Sequence, residues 1–298
     1  MNNKKISLFA KLALFAATLI WGSSFIIVKD VTDSLPTNTL LTIRFLSASL
    51  ILAVIFRGSL KKLDRGYLVR GGILGVLLFF AYMFQTFGIT DTTPGKNAFL
   101  TAVYCVMVPF MAWGLTKKRP DRYNIAAALL CIVGIGLVSL TNDFTIRMGD
   151  LLTLIGGVFY ALHIIAVSKF SDGRDPLLLT IIQFASSGVC AAAAMLVLGD
   201  FGRLGGIDIT AALVLGVAYL AVGCTAVALT FQNFGQKYTD PSTASIILSL
   251  ESVFGVAFSV ALGREGMTPR IFVGFALIFV AVIVSETKLA FLRKKKLR

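Results

Sequence analysis

Phe84-Gln85-Thr86-Phe87-Gly88 recurs 147 residues later as Phe231-Gln232-Asn233-Phe234-Gly235. Other pairs repeat at similar offsets: Pro94 with Pro241 at 147, residues 43–47 with 182–186 at 139, and residues 137–139 with 283–285 at 146. Offsets this similar over most of the chain predict a duplicated unit, because chance matches would scatter. A duplicated unit rich in apolar residues is typical of secondary transporters.

The composition indicates a membrane protein. Of 298 residues, 57% are hydrophobic and 14% charged, and the mean hydropathy is +0.86. A soluble domain carries about 25% charged residues. The net charge of +13 resides mainly in short loops between apolar runs, so the distribution of Lys and Arg across a membrane explains it better than nucleic-acid binding does. The lipid bilayer is the expected partner, and nucleic acid is not.

The pattern of apolar runs predicts ten membrane-spanning helices, each of about 20 residues. They are expected at 8–28, 38–57, 70–90, 95–116, 123–140, 150–169, 176–198, 209–235, 241–262 and 268–286. With this division, 21 Lys and Arg residues lie on the side of the two termini and 6 on the other. Both termini are therefore expected in the cytoplasm, in a multi-pass protein of the cell membrane.

Five spans per unit is an odd number, so the second unit must enter the membrane upside down relative to the first. The expected fold is thus an all-α polytopic membrane protein with ten transmembrane helices arranged as two inverted five-helix repeats. The repeats are expected at 8–140 and 150–286, followed by a basic cytoplasmic tail at 287–298. Folds of this kind hold their substrate near the midplane between the repeats.

Several other function classes find no support in the sequence. The four cysteines lie inside apolar runs without a CxxC pair or a histidine cluster, which is typical of small buried side chains, and no cofactor or metal is expected. The sequence contains no P-loop, HExxH or GxSxG motif, so an ATP-driven pump or an intramembrane hydrolase is not indicated. We expect a protein that is not an enzyme and that draws its energy from solute or ion gradients.

Motifs in five of the spans resemble the drug/metabolite transporter superfamily, and specifically its EamA-like family. They are residues 21–25 (Trp-Gly-Ser-Ser-Phe), Arg44-Phe45, Tyr104 with Pro109, residues 134–136 (Gly-Ile-Gly) and the region around Glu251. The resemblance covers nearly the whole chain and implies ten-helix export or exchange of small metabolites, amino acids among them. Members of the family often have proline after the acidic residue of span nine, whereas here Ser252 follows Glu251.

Two ionisable residues are expected near the bilayer centre. Glu251 lies about ten residues into span nine, about 15 Å deep, and His163, the one histidine, lies about thirteen residues into span six. Buried ionisable groups in membranes are costly and usually functional, and imidazole titrates near neutrality. The alternatives are a neutral Glu251 bonded to a neighbouring helix and a hydrogen-bonded core histidine. Our hypothesis is that both residues face one cavity and contact substrate or a coupling proton.

Further polar and aromatic side chains fall within the spans. Arg44 cannot deprotonate, so it must pair, contact helix carbonyls or extend to the surface. The remaining candidates for substrate contact, each of which has helix packing as its alternative, are Trp21, Tyr82, Gln85, Tyr104, Tyr160 and Ser249.

Three functions remain open at this stage. The first is a secondary-active transporter that exports a small polar metabolite, such as an amino acid or a related compound, by alternating access with protons as the coupling ion. The second is an uncoupled exchanger or facilitator of metabolites or drugs. The third is a membrane sensor or assembly subunit without flux. A monomer and a homodimer are both compatible with the sequence.

Overall fold

The computed structural model describes residues 3–116, 119–139, 146–239 and 241–289. Most of the predicted basic tail, residues 290–298, lies outside these ranges. Within them the chain forms twelve α-helical segments, a π-helical segment at Tyr219–Val227 and short 3₁₀ helices at Ser59–Lys62 and Asp200–Gly206. The α-helices are α1 (Asn3–Thr32), α2 (Thr37–Ile55), α3 (Arg65–Thr90), α4 (Pro94–Ala102), α5 (Tyr104–Thr116), α6 (Arg122–Ser139), α7 (Met148–Phe170), α8 (Pro176–Val197), α9 (Ala211–Ala218), α10 (Ala228–Tyr238), α11 (Pro241–Ala261) and α12 (Pro269–Thr287).

Two helices, α4 and α8, begin within a residue of the predicted spans 95–116 and 176–198. Thr93 precedes Pro94 and its hydroxyl accepts a hydrogen bond from a backbone N–H of the first turn of α4. Asp175 does the same before Pro176 at the start of α8. A capping side chain satisfies one of the free N–H groups of the first turn, and proline at the first helical position has no N–H to leave unsatisfied.

Two predicted spans are not uniform α-helices. The helix predicted at 95–116 is interrupted at Val103, between α4 and α5. The helix predicted at 209–235 extends from α9 to α10 through the π-helical segment. Apolar periodicity does not reveal either change, because a switch of hydrogen-bond register leaves the residue types unaltered.

The helices are those of a polytopic membrane protein. Within the described residues, seven helical stretches are long and apolar enough to cross a membrane: α1, α2, α3, α7, α8 and the two composite stretches α4–α5 and α9–α10. Three shorter apolar helices, Arg122–Val138, Ile247–Ala261 and Pro269–Ser285, coincide with predicted spans five, nine and ten. The prediction of an all-helical polytopic membrane protein is confirmed, and the number of ten crossings stays a prediction.

Apolar side chains cover the outside of the bundle and polar ones occur inside it. Leu50, Val54 and Leu129 are exposed, as are many other large apolar residues. Asn97 and Asp150, by contrast, are fully buried. This distribution suits a lipid surrounding, since an apolar exterior is stable in hydrocarbon and polar groups must find partners within the protein.

Helices from the first half of the chain pack against helices from the second half. Helix α2 packs against α8, α6 against α12, and α4 against α11. Helix α1 packs against both α10 and α11, while α3 packs against both α7 and α8. Small residues allow the close approach of α3 and α8: a Cβ atom added at Gly75 would lie 2.5 Å from the carbonyl oxygen of Gln183.

Ion pairs join the helices at the two ends of the bundle. At one end, which we call the Asp30 end, Asp30 pairs with Arg264 and Lys96 pairs with Asp150. At the other, the Asp64 end, Asp64 pairs with Arg174, 2.7 Å apart, and Asp175 pairs with Lys62. The hydrogen bond from Arg174 holds the pKa of Asp64 below its usual value, as expected for a carboxylate beside a guanidinium.

Candidate functional site

A cavity lies among α1, α2, α3, α4, α5, α7, α10 and α11. It measures about 640 Å³ including its mouth, but only about 50 Å³ admits the centre of a water molecule. Eight of the nine predicted site residues line it: Trp21, Arg44, Tyr82, Gln85, Tyr104, Tyr160, His163 and Glu251. The structure therefore brings predicted residues from six separate helices, far apart in sequence, to one place.

Glu251 is the acidic residue of the cavity. It is buried on α11, about ten residues from the start of that helix. The hydroxyl of Tyr104, the first residue of α5, lies beside its carboxyl group. Glu251 takes part in none of the ion pairs found among the described residues. Its carboxyl group is thus available to a solute or a proton.

Three tyrosines surround the cavity. The Tyr160 ring contacts those of Tyr82 and Tyr104, with centroids 5.5 Å and 6.1 Å apart. The Tyr160 hydroxyl donates a 2.8 Å hydrogen bond to Gln85 Oε1, and Gln85 Nε2 donates one of 2.9 Å to Thr101 Oγ1. These bonds fix the tyrosine edge of the cavity and leave ring faces for contact with a bound molecule.

His163 faces the same cavity as Glu251. It is buried on α7, and its Nε2 lies 3.2 Å from Gln183 Oε1 on α8. The Gln183 amide nitrogen has no hydrogen-bond partner within the described residues, although it is buried. The sequence hypothesis that Glu251 and His163 share a cavity agrees with this geometry, while their roles in binding or coupling stay predictions.

Arg44 and Trp21 are held by the π-helical segment. Arg44 Nε donates a 3.1 Å hydrogen bond to Thr225 Oγ1, and its guanidinium carbon lies 5.0 Å from the centre of the Tyr82 ring. Trp21 Nε1 donates a 2.9 Å hydrogen bond to the carbonyl oxygen of Cys224. Since the wider π turn alters the α-helical hydrogen-bond ladder, it makes such backbone and side-chain groups available to neighbouring helices.

Ser249 is the predicted site residue that is not among those lining the cavity. It is buried on α11, two residues before Glu251. Residues two apart on a helix point in different directions, so one face of α11 cannot present both side chains to the same space.

Four polar lining residues were not among the predicted site residues. They are Ser24, Asn97, Thr101 and Gln232. Asn97 Nδ2 donates hydrogen bonds to the carbonyl oxygen of Gln85 and to Thr153 Oγ1, whereas its Oδ1 has no partner within the described residues. In the sequence, Asn97 and Gln232 could have been identified as candidate site residues because each places a polar amide in an otherwise apolar segment.

The family model that matches this chain is that of the EamA-like transporter family, and it matches residues 8–140 and 147–287. The chain belongs to the EamA-like transporter family. Its EamA-like relatives include an uncharacterized transporter of Archaeoglobus fulgidus that is 34% identical and covers 93% of this chain and 85% of the relative. The uncharacterized inner membrane transporter YedA of Escherichia coli is 22% identical, with 91% of this chain and 89% of the relative covered.

The fold of this EamA-like chain also occurs among solved structures. One of them, a crystal structure of a protein, superimposes with a TM-score of 0.69 at 17% identity. The superposition covers 95% of this chain and 98% of that chain. At this identity the likeness concerns the fold alone.

Proposed function

We propose that the protein is a secondary-active transporter that exports a small polar metabolite, such as an amino acid or a related compound, by alternating access. Ten membrane crossings would form two inverted five-helix repeats, 8–140 and 150–286, with both termini and the basic tail at 287–298 in the cytoplasm. The substrate would bind in the central cavity. The observation that carries the proposal is this cavity, lined by Glu251 and Arg44 inside a bundle with an apolar exterior.

The packing of the helices supports the repeat. The proposed repeats would make α1 equivalent to α7, α2 to α8, α3 to α9–α10, α4–α5 to α11, and α6 to α12. Under this exchange, the contact of α1 with α10 becomes that of α7 with α3. The contact of α1 with α11 becomes that of α7 with the α4–α5 pair. The contacts of α2 with α8 and of α6 with α12 map onto themselves. A pseudo-two-fold axis in the membrane plane would have this consequence, and it would pass through the central cavity.

The cost of burying unpaired charge supports a binding role for the cavity. Glu251 and Arg44 are both more than nine-tenths buried, and neither joins an ion pair of the described residues. A charged side chain in mid-membrane costs several kcal/mol unless it is paired or hydrated. A chain that keeps two such groups around one cavity is suited to bind a polar solute there.

Alternating access requires the ends of the bundle to open in turn. Only about 50 Å³ of the cavity can hold the centre of a water molecule. The cavity is therefore too narrow for a metabolite to enter without movement of the surrounding helices. The Lys96–Asp150 and Asp30–Arg264 pairs would separate when the Asp30 end opens. The Asp64–Arg174 pair would separate when the Asp64 end opens.

Proton coupling would use the Glu251 carboxyl group. The proton and the substrate would exclude each other there, so that each stabilises a different state of the transporter and the inward proton gradient drives export. The Tyr104 hydroxyl beside the carboxyl would favour a defined orientation of that group in both protonation states.

The experiment begins with purified protein and a library of metabolites, because a ligand that binds the folded state raises its apparent stability. A stabilising compound is then used for transport in proteoliposomes, both under a pH gradient and as counterflow without one. Glu251→Gln should abolish the response to the pH gradient and retain counterflow. Glu265→Gln is the matched control, since it makes the same change at a buried carboxyl group that does not line the cavity.

Full gradient-driven transport by the Glu251→Gln protein would remove Glu251 from the coupling mechanism. Counterflow by the wild type that ignores the pH gradient would indicate an uncoupled exchanger instead. Absence of any flux, with a correctly folded protein and a broad panel of metabolites, would refute transport itself.

A further inference from the structure

We propose that Arg44 is the anchor for a carboxylate group of the substrate, so that the protein selects carboxylate-bearing small molecules over their neutral amides. This inference rests on the proposed function and narrows the substrate class of the same cavity. It depends on the free donors of Arg44, on the absence of a protein counter-ion and on the arrangement of charges around the tyrosines.

The guanidinium of Arg44 keeps most of its hydrogen-bonding capacity free. Arginine has five N–H donors. Among the described residues, the one hydrogen-bond partner of this group is Thr225, which binds Nε. Arg44 is only 2% exposed and borders the cavity. The remaining donors can therefore be reached by a ligand from the cavity.

Among the described residues, no carboxylate lies within ion-pair distance of Arg44. A guanidinium cannot relieve the cost of burial by losing its proton. The Tyr82 ring beneath it offers only a cation–π contact. An anionic ligand would supply the missing charge, and a carboxylate matches the planar fork of the guanidinium with two parallel hydrogen bonds.

Thr225 and Tyr82 orient the fork. Thr225 Oγ1 accepts from Arg44 and itself donates a 2.8 Å hydrogen bond to the carbonyl oxygen of Leu220, five residues earlier in the π-helical segment. The centre of the Tyr82 ring lies 5.0 Å from the guanidinium carbon. A group held at Nε and over a ring face is preorganised to use its terminal nitrogens on a ligand, which increases affinity by reducing the entropy lost on binding.

Glu251, the acidic residue of the site, borders the same cavity as Arg44. Tyr82 and Tyr160 are within electrostatic range of both Arg44 and Glu251. Glu251 is not an ion-pair partner of Arg44, so the two groups remain separate. A solute with a carboxylate at one end and a polar or cationic group at the other would fill this arrangement, with its body against the aromatic rings.

The test measures selectivity rather than affinity alone. The probes are the twenty amino acids and the carboxamide of each, added to purified wild-type protein in detergent, with thermal stabilisation and equilibrium binding as readouts. At least one acid should bind, and about 10-fold to 100-fold more tightly than its carboxamide, as expected for hydrogen bonds to charged groups. Arg44→Gln should reduce this ratio to about one, and Arg44→Lys should give an intermediate ratio because lysine keeps the charge without the fork.

Thr225→Val provides a milder variant in case Arg44→Gln does not fold. It leaves the charge and frees Nε, and should lower the acid-to-amide ratio severalfold. Glu265→Gln should keep the wild-type ratio. An unchanged ratio in Arg44→Gln, or in Thr225→Val where that is the variant that folds, would overturn the inference, because a purely structural arginine affects both ligands equally.

The outcomes separate this inference from the proposed function. If no amino acid binds while neutral metabolites of the library bind and are transported, the carboxylate anchor is wrong and the transporter stands. If nothing binds and nothing is transported, both fail.

Discussion

The buried ion pair at the Asp30 end gives a sharp test of the structure. Lys96 Nζ lies 2.8 Å from Asp150 Oδ2, and the Asp150 side chain is fully buried. The other carboxylate oxygen accepts a 2.6 Å hydrogen bond from Thr92. Lys96→Met removes the cation and leaves a buried carboxylate with one hydroxyl as its partner.

The expected loss of unfolding free energy is about 3–5 kcal/mol, the range for removing one partner of a buried pair. It corresponds to about two to four powers of ten in the folding equilibrium. Lys62→Met is the control: it removes an equally short pair, to Asp175, but Lys62 is largely exposed, and solvent screening leaves little to lose. The double variant Lys96→Met/Asp150→Asn should recover at least half of the loss, because no charge then remains buried.

The assay is unfolding by SDS titration in detergent micelles, followed by tryptophan fluorescence. If Lys96→Met is as stable as Lys62→Met, or if Asp150→Asn does not rescue it, Asp150 is not buried against Lys96 as the structure has it.

Two further predictions concern packing and pH. Gly75→Ala should destabilise the protein by about 1–3 kcal/mol, since the new methyl group would overlap the backbone of Gln183. Gly72→Ala, in the same helix, is the control and should be neutral, because its methyl group meets nothing within 4 Å. Equal effects of the two variants in an unfolding assay would argue against the contact of α3 with α8. Burial raises the pKa of Glu265 in the α11–α12 loop, so the folded state binds that proton more tightly than the unfolded chain does. Its contribution to stability is therefore present below the unfolded pKa, about 4.3, and is lost as pH rises through the folded pKa. Glu265→Gln should flatten the pH dependence of unfolding in that window, and an unaltered slope would contradict the burial.

The all-helical membrane fold was accessible from the sequence because apolar length is a local signal. The predicted spans 95–116 and 176–198 begin within a residue of α4 and α8. The π-helical segment was not accessible. It depends on contacts such as that of Trp21 with the carbonyl oxygen of Cys224, between residues 203 apart, and nothing in the local residue pattern encodes them.

The candidate site shows the same division. Glu251, His163 and Arg44 stand out in apolar spans because buried charge is costly, and all three border the cavity. Ser249 was predicted as one of the polar side chains within the spans, but it is not among the residues that line the cavity. Thr225, which holds Arg44, looks like any threonine in a membrane helix, and only the packing of α2 against the π-helical segment reveals its contact.

The central claim is that two five-helix halves lie inverted in the bilayer around the cavity. Gly58 lies in the connection after α2 and Gly205 in the connection after α8, and each has open space around it. Gly58→Cys and Gly205→Cys should react with a membrane-impermeant maleimide from opposite faces of the membrane, with Gly205→Cys labelled on intact cells and Gly58→Cys only after permeabilisation. Labelling of both from the same face would contradict the inverted repeat.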